Sequence, residues 1–181
     1  SWTKADDIRD FQIEGMSIGD SLLDYYSRNE ILNALKKQPK KGYIFPVKKY
    51  RSVRFLDSGN FSDYEKVLIA FRDKDNKFII EHIMGVIEYS TNFSKCFTVL
   101  NSVENSIDNF QDNFSKNKKT YIHPADKSGK SKLTQVGYIF SNDALILASC
   151  ADWSKKMNIT DALRVEIQSK KFRIFVEEVY K

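Results

Sequence analysis

Histidine, arginine, proline and glycine are all scarce in this chain, and each shortage removes a class of function. The two histidines in 181 residues, His82 and His123, have no H-x-x-x-H or C-x-x-C companions. A zinc or other imidazole-built metal centre needs more than that, so no metal and no cofactor is expected. Only seven of the 29 cationic residues are arginine. Readers of nucleic acid lean on the bidentate guanidinium fork, so nucleic acid is not expected as a partner despite the net charge of +5. A chain rich in Lys, Asn and Ile is also what an AT-rich gene encodes, and the basic balance alone does not indicate an anionic partner. Seven glycines and three prolines exclude a linker-rich or low-complexity chain, and no solenoid-type repeat is present. No apolar run approaches the 18 residues of a membrane-spanning helix.

Cysteine is also sparse. Cys96 lies in a helix-like stretch and Cys150 in a strand-like one. In an oxidising compartment the two can form one disulfide across helix and sheet. In a reducing one they are two buried apolar side chains. The opening SWTKADDI reads as the tail of a processed segment. Thr3-Lys4-Ala5 puts small residues at the −3 and −1 positions of a signal-peptidase site. The expectation is a periplasmic or secreted protein, with residues 1–7 as a residual tail and 8–181 as a single α+β domain. An apolar fraction of 41%, with 13 Phe and nine Tyr, is enough for a folded core.

Periodicity supplies the coarse architecture. Residues 8–14 (IRDFQIE) alternate as a short strand that Gly15 ends. Ser17-x-x-Asp20 and Ser27-x-x-Glu30 are helix-start patterns, predicting a helix pair over 19–26 and 28–37. Segments 50–55, 64–72 and 77–89 read as strands, the last two joined by Asp73-Lys74-Asp75-Asn76, with Gly85 as a bulge. From Phe93 to Phe114 apolar residues recur every three or four positions, which predicts one long amphipathic helix over 92–114. Residues 115–132 are polar and read as a mobile loop. Segments 133–141, 144–153, 162–168 and 171–180 read as strands, the last two as a hairpin. The fold class is therefore α+β: a mainly antiparallel sheet with an N-terminal helix pair and one long amphipathic helix packed on one face.

Three fragments invite chemistry. Gly19-Asp20-Ser21-Leu22 matches the G-D-S-L of a class of serine esterases, which need the serine at a strand-to-helix turn and a histidine base in a late D-x-x-H. Here Ile79 and Thr120 stand three residues before the two histidines, and no histidine lies beyond His123. A hydrolase with Ser21 as nucleophile and His123 as base is thus an alternative, and a non-enzymatic protein is expected. Ser128-Gly129-Lys130-Ser131 hints at a phosphate loop. Pro124, however, stands where the motif needs its first glycine, and the segment after Ser131 is strand-like where the motif needs a helix. Finally, Lys118, Lys119, Tyr121, His123, Lys127 and Lys130 form a candidate site for an anionic ligand or surface.

The block DIRDFQIEGMSIGDSLLDYYSRNEI, with GVIEY and ADKSGKSK further on, resembles a group of small, uncharacterised exported proteins of marine bacteria, over most of the chain. The resemblance implies the same fold class and export, and no activity or catalytic residue. The Gly15-Met16-Ser17 junction is similar to the G-M-[ST] that precedes a helix in small envelope lipoproteins supporting outer-membrane assembly. This chain lacks their lipid-bearing cysteine near the start. Together these features give the expectation of a binding or envelope-associated protein.

Overall fold

In the computed structural model the described residues are 8–37, 45, 47–109, 113–123 and 126–179. Residues 1–7, with the expected signal-peptidase site, lie outside them. Among the described residues three α-helices, α1 (Arg28–Lys36), α2 (Ser94–Asp108) and α3 (Lys170–Val179), accompany seven strands. The strands are β1 (Tyr50–Leu56), β2 (Lys66–Arg72), β3 (His82–Glu88), β4 (Phe114–Ile122), β5 (Lys132–Phe140), β6 (Leu145–Asp152) and β7 (Ala162–Gln168). They form one sheet in the order β1-β2-β3-β7-β6-β5-β4, and every pairing in it is antiparallel. The chain is α+β.

Two meanders build this sheet. β1–β3 form one, and α2 then carries the chain to the far edge, where β4 starts a second that returns until β7 pairs with β3. Period-2 alternation sorts the side chains onto two faces. Val53, Ile69, Ile83, Val165, Ala148 and Val136 turn towards α1 and α2 and form the main core with Phe11, Met16, Leu22 and Ile31. Tyr50 and Ala70 turn the other way, onto Phe172 and Phe175 of α3. Cys96 of α2 and Cys150 of β6, both buried, are joined with Sγ atoms 2.00 Å apart, so a covalent bond pins α2 to the sheet.

Several expectations are corrected. The 8–14 segment is not a strand. A 3-10 turn occupies Ile8–Asp10, and Ile13 and Met16 exchange backbone hydrogen bonds around a two-residue turn. Glu14 and Gly15 both have positive φ, 50° and 78°, as a type I′ turn requires. Its apolar residues are buried by packing, without a pairing partner along the segment. The first helix of the pair is a single 3-10 turn, Leu22–Asp24. The reason is competition for backbone groups: Gly19 and Leu22 donate to Ile80 and Phe78, and Ile80 donates to Asp20. The second helix forms as α1, with the full Ser27–Glu30 capping box.

The expected loop over 115–132 is strand β4 as far as Ile122, and only the part after it connects to β5. The C-terminal segment is helix α3 instead of a strand. Phe172, Phe175, Val176 and Val179 share one stripe, and Ser169 Oγ accepts the Phe172 N–H at 3.1 Å as a cap. Gly85 makes no bulge. It sits in register between Val67 and Val165, and the Tyr64 ring covers the space a side chain would take.

Candidate functional site

A cavity of about 790 Å³ opens where α1 runs beside β1. One wall is the outer face of α1, through Glu30, Asn33, Ala34 and Lys37. This i, i+3, i+4, i+7 spacing keeps the four on one side of the helix. The opposite wall is Arg54-Phe55-Leu56 of β1, and the 58–61 loop closes one end. Glu14, Met16, Tyr25 and Tyr26 form the remainder.

Each wall is fixed by its own bonds. The Glu14 carboxylate accepts from the backbone N–H of Ser62, Asp63 and Tyr64 and from Ser62 Oγ, at 2.7–3.1 Å. Partial burial pulls its pKa upward, but these donors outweigh it and hold the group below the usual glutamate range. Asp57 Oδ1 accepts from the N–H groups of Phe61, Gly59 and Asn60 and so shapes the loop. Glu30 is engaged by the Ser27 hydroxyl and N–H, which lower its pKa. Burial, together with the hydrogen bond the phenol donates to the Asp20 carboxylate at 2.5 Å, pushes the Tyr25 pKa up to about 12.

The Tyr26 ring lies flat on Phe55, with centroids 3.9 Å apart and planes at 5°. Among the described residues no side chain hydrogen-bonds the Tyr26 hydroxyl or the Asn33 amide, and none pairs with Lys37. The cavity therefore offers an aromatic floor with polar groups left for a ligand, while its two carboxylates already have internal donors.

The sequence-derived candidates are placed elsewhere. Ser21 caps the 3-10 turn: its Oγ donates to the Lys77 carbonyl at 2.7 Å and accepts from Leu23 N–H. His123 contacts the Trp153 ring at 4.7 Å, beside the β4–β5 connection. Its pKa is lowered, first by burial and then by the nearby Arg164. Ser21 and His123 thus have separate neighbourhoods. The surrounding sheet is antiparallel, whereas esterases of that class use parallel strands.

The lysine-rich segment divides between the two sides of β4. Lys118 pairs with Glu104 of α2 at 2.6 Å, and Lys116 pairs with Glu104 and Asp108. Lys119 lies on the other side, its Nζ 5.0 Å above the Tyr121 ring, and Tyr121 donates to Gln135. Lys127 and Lys130 are exposed in the connection to β5. There the buried Asp126 carboxylate takes the N–H and hydroxyl groups of both Ser128 and Ser131. These hydroxyls and N–H groups hold its pKa far below the usual range. The donors a phosphate would need are occupied by the chain's own carboxylate.

Sequence reasoning missed the cavity. The i, i+3, i+4, i+7 face of α1, with Glu30, Asn33 and Lys37 around Ala34, was its one readable signal. The stacking of Tyr26 on Phe55 joins segments 29 residues apart that no local pattern links. No described helix is long and apolar enough to cross a membrane. No family model, curated protein or solved structure matches the chain.

Proposed function

We propose that the protein is an exported, periplasmic or secreted, non-enzymatic binding protein that holds its ligand between α1 and β1. The observation that carries this reading is the cavity. Its volume of about 790 Å³ falls within the range of ligand sites, as does its mix of aromatic surface and a few polar groups. Export is supported by the Cys96–Cys150 bond, because such bonds persist in oxidising compartments. The non-enzymatic part is supported by Ser21, whose hydroxyl proton goes to a backbone carbonyl.

A fragment library of aromatic and heteroaromatic compounds, screened by saturation-transfer NMR, tests the reading. Hits are expected to lose their signal in Asn33→Trp, which fills the cavity from an exposed helix position. Hits that survive this change, or none at all, count against the cavity. A fluorophosphonate probe is expected to leave the chain unlabelled. Labelling that Ser21→Ala abolishes overturns the non-enzymatic reading in favour of the hydrolase.

A further inference from the structure

The geometry points to a strand-addition site. We infer that the occupant of the α1–β1 cavity is an extended acidic segment of a partner protein, which joins the sheet beside β1. The inference rests on the cavity being the binding site, and it names the class of ligand.

Hydrogen-bond parity along β1 is the first support. Asp57 N–H donates to Glu65, and Asp73 N–H donates to Lys49, at the two ends of the β1–β2 pairing. In an antiparallel ladder bonded pairs alternate with non-bonded ones. Arg51, Val53 and Phe55 therefore face β2 with their N–H and C=O groups. Those of Arg54 and Leu56 point outwards, and β1 is an edge of the sheet. No described backbone group pairs with them.

The second support is where the cavity lies. Arg54, Phe55 and Leu56 all line it, yet consecutive side chains of a strand point to opposite faces. Three in a row share one cavity when it runs along the strand's edge, against the backbone. A helix lying alongside completes the groove, the arrangement that strand-adding peptides use: main-chain bonds supply affinity and pockets for alternate side chains supply specificity.

The two edges of the sheet also differ. β4 carries exposed Lys116, Lys118 and Lys119, the kind of charged guard that keeps an edge from pairing. β1 carries exposed Arg51 and Arg54 but no lysine, and it ends in Leu56, which is 60% exposed. Charge then selects the occupant. Glu14 and Glu30 are satisfied by internal donors, whereas Arg54 and Lys37 have no carboxylate partner among the described residues. An acidic segment with an apolar residue for the Tyr26–Phe55 stack fits both walls.

The test pans a phage-displayed random dodecapeptide library on the full chain at low salt. Selected peptides are synthesised and titrated by fluorescence anisotropy against wild type, Leu56→Pro, Arg54→Glu and Asn33→Trp. Proline at 56 removes an outward N–H and leaves the β2 ladder intact, which an edge strand tolerates. The expected result is a set of acidic peptides whose affinity falls at least about tenfold in Leu56→Pro, the loss of one well-made hydrogen bond and its neighbours. Arg54→Glu is expected to weaken them further in low salt than in high. On peptide addition the amides of Arg54 and Leu56 gain protection from hydrogen exchange, and those of Val53 and Phe55 do not change.

Peptides that resist Leu56→Pro but are lost in Asn33→Trp overturn strand addition and leave the cavity standing. Peptides that resist both overturn both. The absence of any enriched sequence overturns strand addition. So does a wild-type dimer in sedimentation that Leu56→Pro dissociates, because the edge would then pair with a second copy. Should Leu56→Pro fail to fold, Arg54→Glu and the amide protection in wild type decide.

Discussion

Opening the Cys96–Cys150 bond is the perturbation whose cost is tied most directly to the fold. The two residues are 54 apart in sequence. Cross-linking a loop of that length lowers the entropy of the unfolded chain by about 14 cal/mol/K, or about 4 kcal/mol at 25 °C. Both side chains are buried, so Cys96→Ala/Cys150→Ala also removes packed sulfur, adding to the loss. For a chain of 181 residues an unfolding entropy of about 2.1 cal/mol/K per residue converts 4 kcal/mol into a fall in Tm of about 10 °C. The assay is thermal unfolding monitored by far-UV circular dichroism, on oxidised protein, on protein reduced with dithiothreitol, and on the double alanine variant. Oxidised protein is expected to show no free thiol until unfolded and reduced. The reduced form is expected to melt about 10 °C lower, with the alanine variant at or below it. Two titratable thiols in the native protein, or equal melting of oxidised and reduced forms, would refute the reasoning.

Three other perturbations test separate parts of the fold. Gly85→Ala brings a methyl within 2.5–2.6 Å of the Tyr64 ring. It is expected to destabilise by about 1–3 kcal/mol in urea titrations, and the penalty should shrink in a Tyr64→Ala background. Glu14→Gln removes the charge that three backbone N–H groups stabilise and is expected to cost about 1–2 kcal/mol at pH 7. Because the folded-state pKa of Glu14 is lowered, its contribution is present above the ordinary glutamate pKa and fades as pH falls through the folded value. Wild type should therefore lose its advantage over the variant in acid, and a constant difference from pH 7 to pH 3 would contradict this. His82 Nε2 meets Glu166 Oε2 at 2.9 Å while its ring stacks on Phe172. His82→Leu leaves the Glu166 carboxylate with the Gln168 amide as its side-chain hydrogen-bond donor among the described residues and is expected to cost about 2–3 kcal/mol in urea titrations, with His82→Leu/Glu166→Leu costing less than the single change.

The parts of this fold readable from sequence are those where one local signal dominates. Ser27-x-x-Glu30 predicts the start of α1, and the capping box is there. The β-branched runs of β2 and β3 predict a hairpin, and the two strands pair. The apolar stripe from Phe93 predicts α2, though the helix stops at Asp108 and Phe114 opens the next strand. Where sequence reading fails, the cause is a competing interaction. β4 is polar on both sides because it is exposed along most of its length and its α2-facing lysines pair with Glu104 and Asp108, so period-2 contrast never appears. α3 is rich in Phe, Ile and Val, which favour strands, yet its three-and-four spacing and the Ser169 cap decide for helix. Residues 19–22 give their backbone groups to 78–80, a long-range pairing that overrides a helix-start pattern. The cavity was hidden for the same reason: its walls come from four segments that only the folded chain brings together.

The central claim is that β1 presents an open edge to the α1 groove. Amide-resolved hydrogen exchange on the ligand-free protein tests it most directly. Val53 and Phe55, bonded to β2, are expected to exchange slowly, and Arg54 and Leu56, pointing into the groove, to exchange orders of magnitude faster. If all four amides are equally protected, the edge is already occupied and the account is wrong.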